Sequence, residues 1–331
     1  MGIWSFLSAT LQHVRGYIVI DEFLEHAPRG QQIQRSIVTV IGMHRSGTSA
    51  IAKGLECLGL NMGDALIAPG EDNPRGYWED AEVLRINKEV LERLNIAWND
   101  TRIVPEALFL GDALTDLHDQ AGKLLINRAD QYAMWGFKDP RTLRVLPFWL
   151  HAAELSGVNL QFVVALRHPY TVALSLQKRN GISLTRGQLM WAAYTLPFLP
   201  LIKNHPHVFI SYDDLLEQPA LILEKIALHL ALSIDENKLK NYIERFLSQS
   251  LRHHSVSLHD EEYAKNVLPL LDKTYHILTA MKQNEDVVQW VLLASCYEEY
   301  QRYQNILEEF DAESDYHWKR RGSFLKRLIY G

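Results

Sequence analysis

A β-branched run, Ser36-Ile-Val-Thr-Val-Ile41, stops at a glycine-bearing turn, and from about Gly47 to Leu60 the apolar residues Ile51, Leu55 and Leu58 recur at helical spacing. The pattern predicts strand, loop, helix. Leu160-Gln-Phe-Val-Val-Ala-Leu166 predicts a second, buried strand, closed by the turn Arg167-His168-Pro169 and followed by a helix through Val172 and Leu176. Val208-Phe-Ile-Ser-Tyr212 predicts a third, ahead of a helix through Leu221, Leu223, Ile226 and Leu230. Trp135-Gly-Phe137 reads as a shorter strand leading into Lys138-Asp-Pro-Arg141, and from about Asp260 the chain reads as helical and more polar.

Strands alternating with helices predict an α/β fold, a three-layer domain whose central, mostly parallel sheet is covered on both faces. The expected organisation is a helical lead-in over residues 1–35, the main domain over 36–259, and a helical C-terminal extension with a basic tail over 260–331. In such sheets ligands bind beyond the carboxyl ends of the strands, where Gly42 to Ser49, Lys138, Arg167 and Tyr212 would all lie.

Composition narrows the partners. The 331 residues are 47% hydrophobic and 22% charged, enough for one large core. The net charge of −6 gives no overall basic field for nucleic acid, so any phosphate site must be local. The two cysteines, Cys57 and Cys296, form no CxxC or Cys/His ligand pattern, which argues against a disulfide framework or structural zinc and for a reducing, cytoplasmic setting. No signal peptide is expected, Phe6 stands where a myristoylation signal carries Ser or Thr, and no apolar run is long enough to span a bilayer.

The loop after the first strand, Gly42-Met-His-Arg-Ser-Gly47-Thr48-Ser49, has the GxxxxG frame whose backbone N–H groups cradle phosphate at a helix N-terminus, making the domain P-loop-like. A nucleoside-triphosphatase loop would carry Lys where Thr48 stands. Here the cation within the loop is Arg45, beside His44, so ATP hydrolysis is not expected.

Arg45-Ser-Gly-Thr-Ser49 resembles the phosphosulfate loop of sulfotransferases that use 3′-phosphoadenosine 5′-phosphosulfate (PAPS). Loops of this Arg-Ser-Gly-Thr type occur in Golgi protein-tyrosine sulfotransferases and in bacterial members. The resemblance implies that Arg45 is the catalytic cation and that Ser46, Gly47, Thr48 and Ser49 join it in binding the donor. The family's second signature, an Arg and a Ser eight residues apart that hold the 3′-phosphate, is matched by Arg167 and Ser175. A planar fork of donors and a hydroxyl two turns into the helix suit a phosphate dianion. Asn73-Pro-Arg-Gly-Tyr-Trp-Glu-Asp80 and Lys138-Asp-Pro-Arg141 are similar to motifs of bacterial sulfotransferases. Tyr212-Asp-Asp-Leu215 is similar to a segment whose tyrosine lies at the adenine, the alternative for Tyr212 being a core aromatic at a strand end. The resemblance runs from about Ser36 to about Pro219. The cytosolic branch's Arg-Lys-Gly…Gly-Asp-Trp-Lys segment is missing, with Arg252-His-His254 a candidate substitute.

The implied reaction moves a sulfuryl group from PAPS to an acceptor hydroxyl or amine and leaves the nucleotide PAP. Arg45 and Lys138 would stabilise the charge that builds on the leaving phosphate and the sulfuryl oxygens, and no metal is required. Glu79 is the first candidate for the base that takes the acceptor's proton, with Glu71, Asp139, His44 and His168 as alternatives. A saccharide or other cell-surface precursor is the first expectation for the acceptor. His253, His254 and His259 read as loop or pocket lining, and Trp191, Tyr194 and Phe198 as core. The basic tail 317–330 reads either as a weak contact for an anionic membrane surface or partner, or as a solvated helix. Two rivals stand beside this reading: a P-loop kinase for a small metabolite, and a catalytically silent PAPS- or PAP-binding module.

Overall fold

The computed structural model describes residues 35–70, 73, 76–247, 261–283 and 286–305. Its centre is a sheet of four parallel strands, β1 (Ser36–Ile41), β2 (Gly136–Lys138), β3 (Asn159–Leu166) and β4 (His207–Ser211), in the order β2-β1-β3-β4. The strands expected from the hydrophobic pattern form, with ends shifted by a residue or so. Val40 pairs with both Lys138 and Val163, and Leu166 with Ser211, so the four carboxyl ends finish close together along one edge.

The side-chain alternation of the strands divides the core in two. Ile37, Ile41, Phe162, Val164, Leu166 and Phe209 belong to one buried cluster, and Val38, Val40, Val163, Ala165, Val208 and Ile210 to the other. Both faces are covered, which is why the strands are nearly uninterrupted apolar runs. Helices α1 (Thr48–Leu55), α2 (Ala81–Arg93), α3 (Thr115–Gln131), α4 (Leu146–Ser156), α5 (Pro169–Asn180), α6 (Leu184–Thr195), α7 (Pro219–Leu230) and α8 (Pro269–Met281) supply the outer layers. Ile51 and Leu55 of α1 and Leu223 and Ile226 of α7 lie on the second face, while α4, α5, α6 and α8 bury Phe148, Val172, Trp191 and Leu278 on the first.

Over its described residues the stretch expected as a helical extension packs on the sheet: Leu271, Leu278, Leu293, Cys296 and Tyr300 belong to the same core. Tyr300 Oη donates to the carbonyls of Thr101 (3.0 Å) and Leu189 (3.2 Å). The apolar residues of these helices have the sheet's first face to bury against, and that burial outweighs their polar outer faces. The expected boundary at 259/260, the lead-in up to residue 34 and the basic tail 317–330 lie outside the described residues. Among the described residues, no helix is long and apolar enough to cross a membrane.

Candidate active site

From β1 the chain continues to β2 on one side and later to β3 on the other, so the strand order reverses beside β1. The loops leaving β1 and β3 diverge there and open a crevice. Two glycines shape its floor. At Gly42 (φ +154°) a Cβ would lie 2.8 Å from the Ala165 carbonyl oxygen, so the exit of β1 passes too close to β3 for a side chain. At Gly47 (φ +86°), which caps α1, a Cβ would lie 2.1 Å from the Tyr212 ring. Tyr212, the first residue after β4, therefore lies directly on the loop.

Arg45 also has a left-handed backbone (φ +69°), unfavourable for a residue with a Cβ. Two long-range bonds hold it. Its carbonyl accepts from Arg167 Nη1 (2.8 Å), and its Nε–H donates to Ser175 Oγ (2.9 Å) on α5. The Arg167 guanidinium sits 4.8 Å from the centre of the Tyr212 ring, a cation–π contact. Arg45, Arg167, Ser175 and Tyr212, spread over 167 residues of sequence, thus form one contiguous wall.

Lys138, the last residue of β2, forms the opposite wall and is 1% exposed. Its Nζ donates to Glu79 Oε1 at 2.7 Å, while Arg141 Nη1 lies 3.8 Å from Glu79 Oε2. Glu79 is held from both sides in sequence. Asp80 caps α2 by accepting from the Glu82 and Val83 N–H groups, and the Glu79 carbonyl accepts from Ile67 N. Trp78 has φ +53°, with its indole N–H donated to Glu56 Oε1 (2.7 Å) and its ring edge-on to Phe246. Ser49 Oγ donates to the Tyr77 carbonyl (3.2 Å), tying this segment to the first turn of α1. Burial raises the Glu79 carboxyl above its usual range against the pull of Lys138, and burial lowers the Lys138 ammonium against the pull of Glu79.

Between the walls is a cavity of about 270 Å³, lined by residues that include Arg45, Gly47, Thr48, Ser49, Glu79, Lys138, Arg167 and Tyr212. Ser46 is buried in the loop, its hydroxyl without a hydrogen-bond partner among the described residues, and Ser175 enters through its bond to Arg45. Among the described residues the lining holds four cations, Arg45, Lys138, Arg167 and Arg179, against the carboxylate of Glu79. This is a concentrated positive site in a chain of net charge −6.

The other candidate bases separate. His44 lines the cavity, edge-on to Trp98 and Tyr194. Burial, followed by the nearby charges of Arg141, Lys138, Arg179 and Arg45, holds its imidazole well below the usual value and so neutral. Asp139 is fully buried and turned to Arg141, accepting from its backbone N–H and its Nη1, each at 2.9 Å. His168 is engaged by Asp272. Glu71 and the stretch Arg252 to His259 lie outside the described residues, and Trp191, Tyr194 and Phe198 are in the core.

Three lining or bracing residues escaped the sequence reading. Arg179 lies one helical turn beyond Ser175, and that i, i+4 spacing was a usable signal for a second cation on the same face. Arg141 stood in a quoted motif without a role. Phe246 ends a π-helical turn, Tyr242–Phe246, far along the chain, and nothing local marks it.

No protein-family model matches the chain, and no curated protein matches it. Among solved structures, it aligns with the sulfotransferase domain from the Synechococcus PCC 7002 olefin synthase at 15% identity and a TM-score of 0.41, covering 82% of this chain and 98% of that one. It also aligns with the sulfotransferase domain from the curacin biosynthetic pathway at 17% identity and a TM-score of 0.40, covering 78% of this chain and 96% of that one.

Proposed function

We propose that this chain is a sulfotransferase that takes a sulfuryl group from PAPS and places it on an acceptor hydroxyl or amine. The observation that carries the reading is the meeting of Arg45, Ser175, Arg167 and Tyr212 on one wall of a cavity whose other wall is the Lys138–Glu79 pair. The residues fit an anionic donor on two counts. Among the described residues the lining carries four cations to one carboxylate, and two buried polar atoms, Ser46 Oγ in the loop and Arg167 Nε after β3, have no hydrogen-bond partner.

In this reading Arg167 and Ser175 hold the 3′-phosphate, the Gly42–Ser49 loop and the first turn of α1 hold the 5′-phosphosulfate, and Tyr212 flanks the adenine. Arg45 and Lys138 face the bridging and sulfuryl oxygens, where charge grows as the sulfur–oxygen bond to the phosphate breaks. The acceptor oxygen forms the new bond to sulfur, PAP leaves with the electron pair, and the acceptor's proton passes to Glu79. One oxygen of Glu79 is engaged by Lys138, and the other lies 3.8 Å from Arg141 in a residue that lines the cavity. Because burial raises this carboxyl, it accepts a proton more readily than a solvated glutamate would. The cation of the loop is Arg45, and Thr48 occupies the position of a triphosphatase lysine, which speaks against a kinase.

Calorimetry with PAP and AMP tests the donor assignment. Arg167 and Ser175 have no partner in AMP, and charge-assisted hydrogen bonds contribute roughly 1.5 to 3 kcal/mol each, so PAP is expected to bind more than about tenfold tighter. Equal affinities would refute it. Transfer from labelled PAPS to an acceptor panel, unchanged by a metal chelator, is the matching activity test.

A further inference from the structure

Helix α8 lies in the part of the chain that the sequence presented as an extension, yet side chains at its two ends reach the turns that carry the donor wall. Lys282, at its C-terminal end, pairs with Asp214 in the turn after Tyr212. Asp272, in its first turn, meets His168, the residue immediately after Arg167.

The His168 ring spans two structures. Its Nδ1 accepts from the Tyr170 backbone N–H (3.2 Å), capping α5. An Nδ1 that accepts carries no proton, so the proton is on Nε2, and Nε2–H donates to Asp272 Oδ1 (3.0 Å). Asp272 Oδ1 also accepts from Tyr263 Oη, and the rings of Tyr263 and Tyr275 pack on the imidazole with centroids 5.6 and 4.8 Å away. His168 is 1% exposed. The turn it pins separates Arg167, at the exit of β3, from Ser175, two turns along α5.

We propose that His168 and Asp272 are a positioning pair for the 3′-phosphate subsite: the imidazole fixes the β3–α5 turn to α8, and thereby sets both Arg167 and Ser175 at the spacing the phosphate requires. The inference rests on the donor reading above. A bidentate guanidinium loses affinity when its backbone anchor shifts by a fraction of an ångström, so the partner of the anchor matters although it never touches ligand.

His168→Asn tests it. Asn is a good helix cap and can still accept from the Tyr170 N–H, but it is too short to reach Asp272, so capping survives and the tie to α8 is cut. By calorimetry the variant is expected to bind PAP roughly tenfold more weakly than the wild type while AMP affinity is unchanged. Asp272→Asn keeps an oxygen for Nε2–H and is expected to restore discrimination to within about threefold of wild type. Wild-type PAP affinity in a folded His168→Asn protein, or an equal loss for PAP and AMP, would overturn the proposal and leave the pair a purely structural tie. Should His168→Asn not fold, Asp272→Ala, at a part-exposed site, is judged by the same two ligands. If the wild type itself fails to discriminate PAP from AMP, the donor assignment falls rather than the pair.

Discussion

Replacing Glu79 by Gln keeps the side chain's size and one acceptor oxygen while removing its charge and its capacity to take a proton. The structure sets the two magnitudes separately. Lys138 is fully buried with its Nζ 2.7 Å from Glu79 Oε1, and the second cation, Arg141, is 3.8 Å from Oε2. Breaking a buried pair outright costs about 3 to 5 kcal/mol, but the amide oxygen still receives Lys138, so a loss of about 2 to 3 kcal/mol is expected. In a chain of this size that is a fall in Tm of about 5 °C. Turnover is expected to fall about 10²- to 10⁴-fold, the usual contribution of a general base. PAP affinity should hold or rise, because the cavity loses the lining carboxylate of Glu79 and keeps the cations Arg45, Lys138, Arg167 and Arg179. Stopped or steady-state sulfuryl transfer from labelled PAPS, with calorimetry on the same protein, separates the effects. Turnover within about threefold of wild type would refute the base assignment. In that case Glu71→Gln, expected to be mild, becomes the next variant to measure.

Three further outcomes follow from the same coordinates. Gly47→Ala places a Cβ 2.1 Å from the Tyr212 ring at φ +86°, so the ring must move; a stability loss of roughly 1 to 3 kcal/mol and weakened PAP binding are expected, and an unchanged PAP affinity would remove the loop from the donor site. A chain ending at Ser314 is expected to fold and bind PAP, whereas one ending at residue 260 loses Leu271, Leu278, Leu293 and Tyr300 from the core and should not fold by circular dichroism; a folded, PAP-binding 1–260 chain would contradict the packing. His44 and His168 have pKa values depressed chiefly by burial, so the unfolded chain takes up protons that the fold resists, and stability drops as pH falls below the free imidazole value of about 6.5 until each folded pKa is reached, by at most about 1.4 kcal/mol per pH unit for each such histidine. Thermal melts should show a shallower acid slope for His44→Gln, and an identical slope would mean that His44 does not titrate below its free value.

The alternation of β-branched and apolar runs with helical spacing was enough to locate the strands and place the Gly42–Ser49 loop, because burial on both faces of a parallel sheet writes itself into contiguous sequence. The loop's conformation was legible for the same local reason: Gly42 and Gly47 stand where the backbone needs them. Arg167 and Ser175 were singled out by their resemblance to a family signature, an Arg at a strand end and a Ser eight residues on in the next helix.

What joined these pieces was beyond local pattern. Glu79 and Lys138 are 59 residues apart, and Arg45 and Ser175 130 apart, and many carboxylates and hydroxyls of the chain would satisfy a partner equally well on paper. Which ones meet is decided by the order β2-β1-β3-β4, which sets β2 and β3 on either side of β1 and opens a crevice between diverging loops. The same holds for the helices after residue 260. Their polar faces mark them as peripheral in sequence, but their apolar faces have the sheet to bury against, and only the packed structure shows that α8 reaches back through Asp272 and His168 to the turn that carries Arg167.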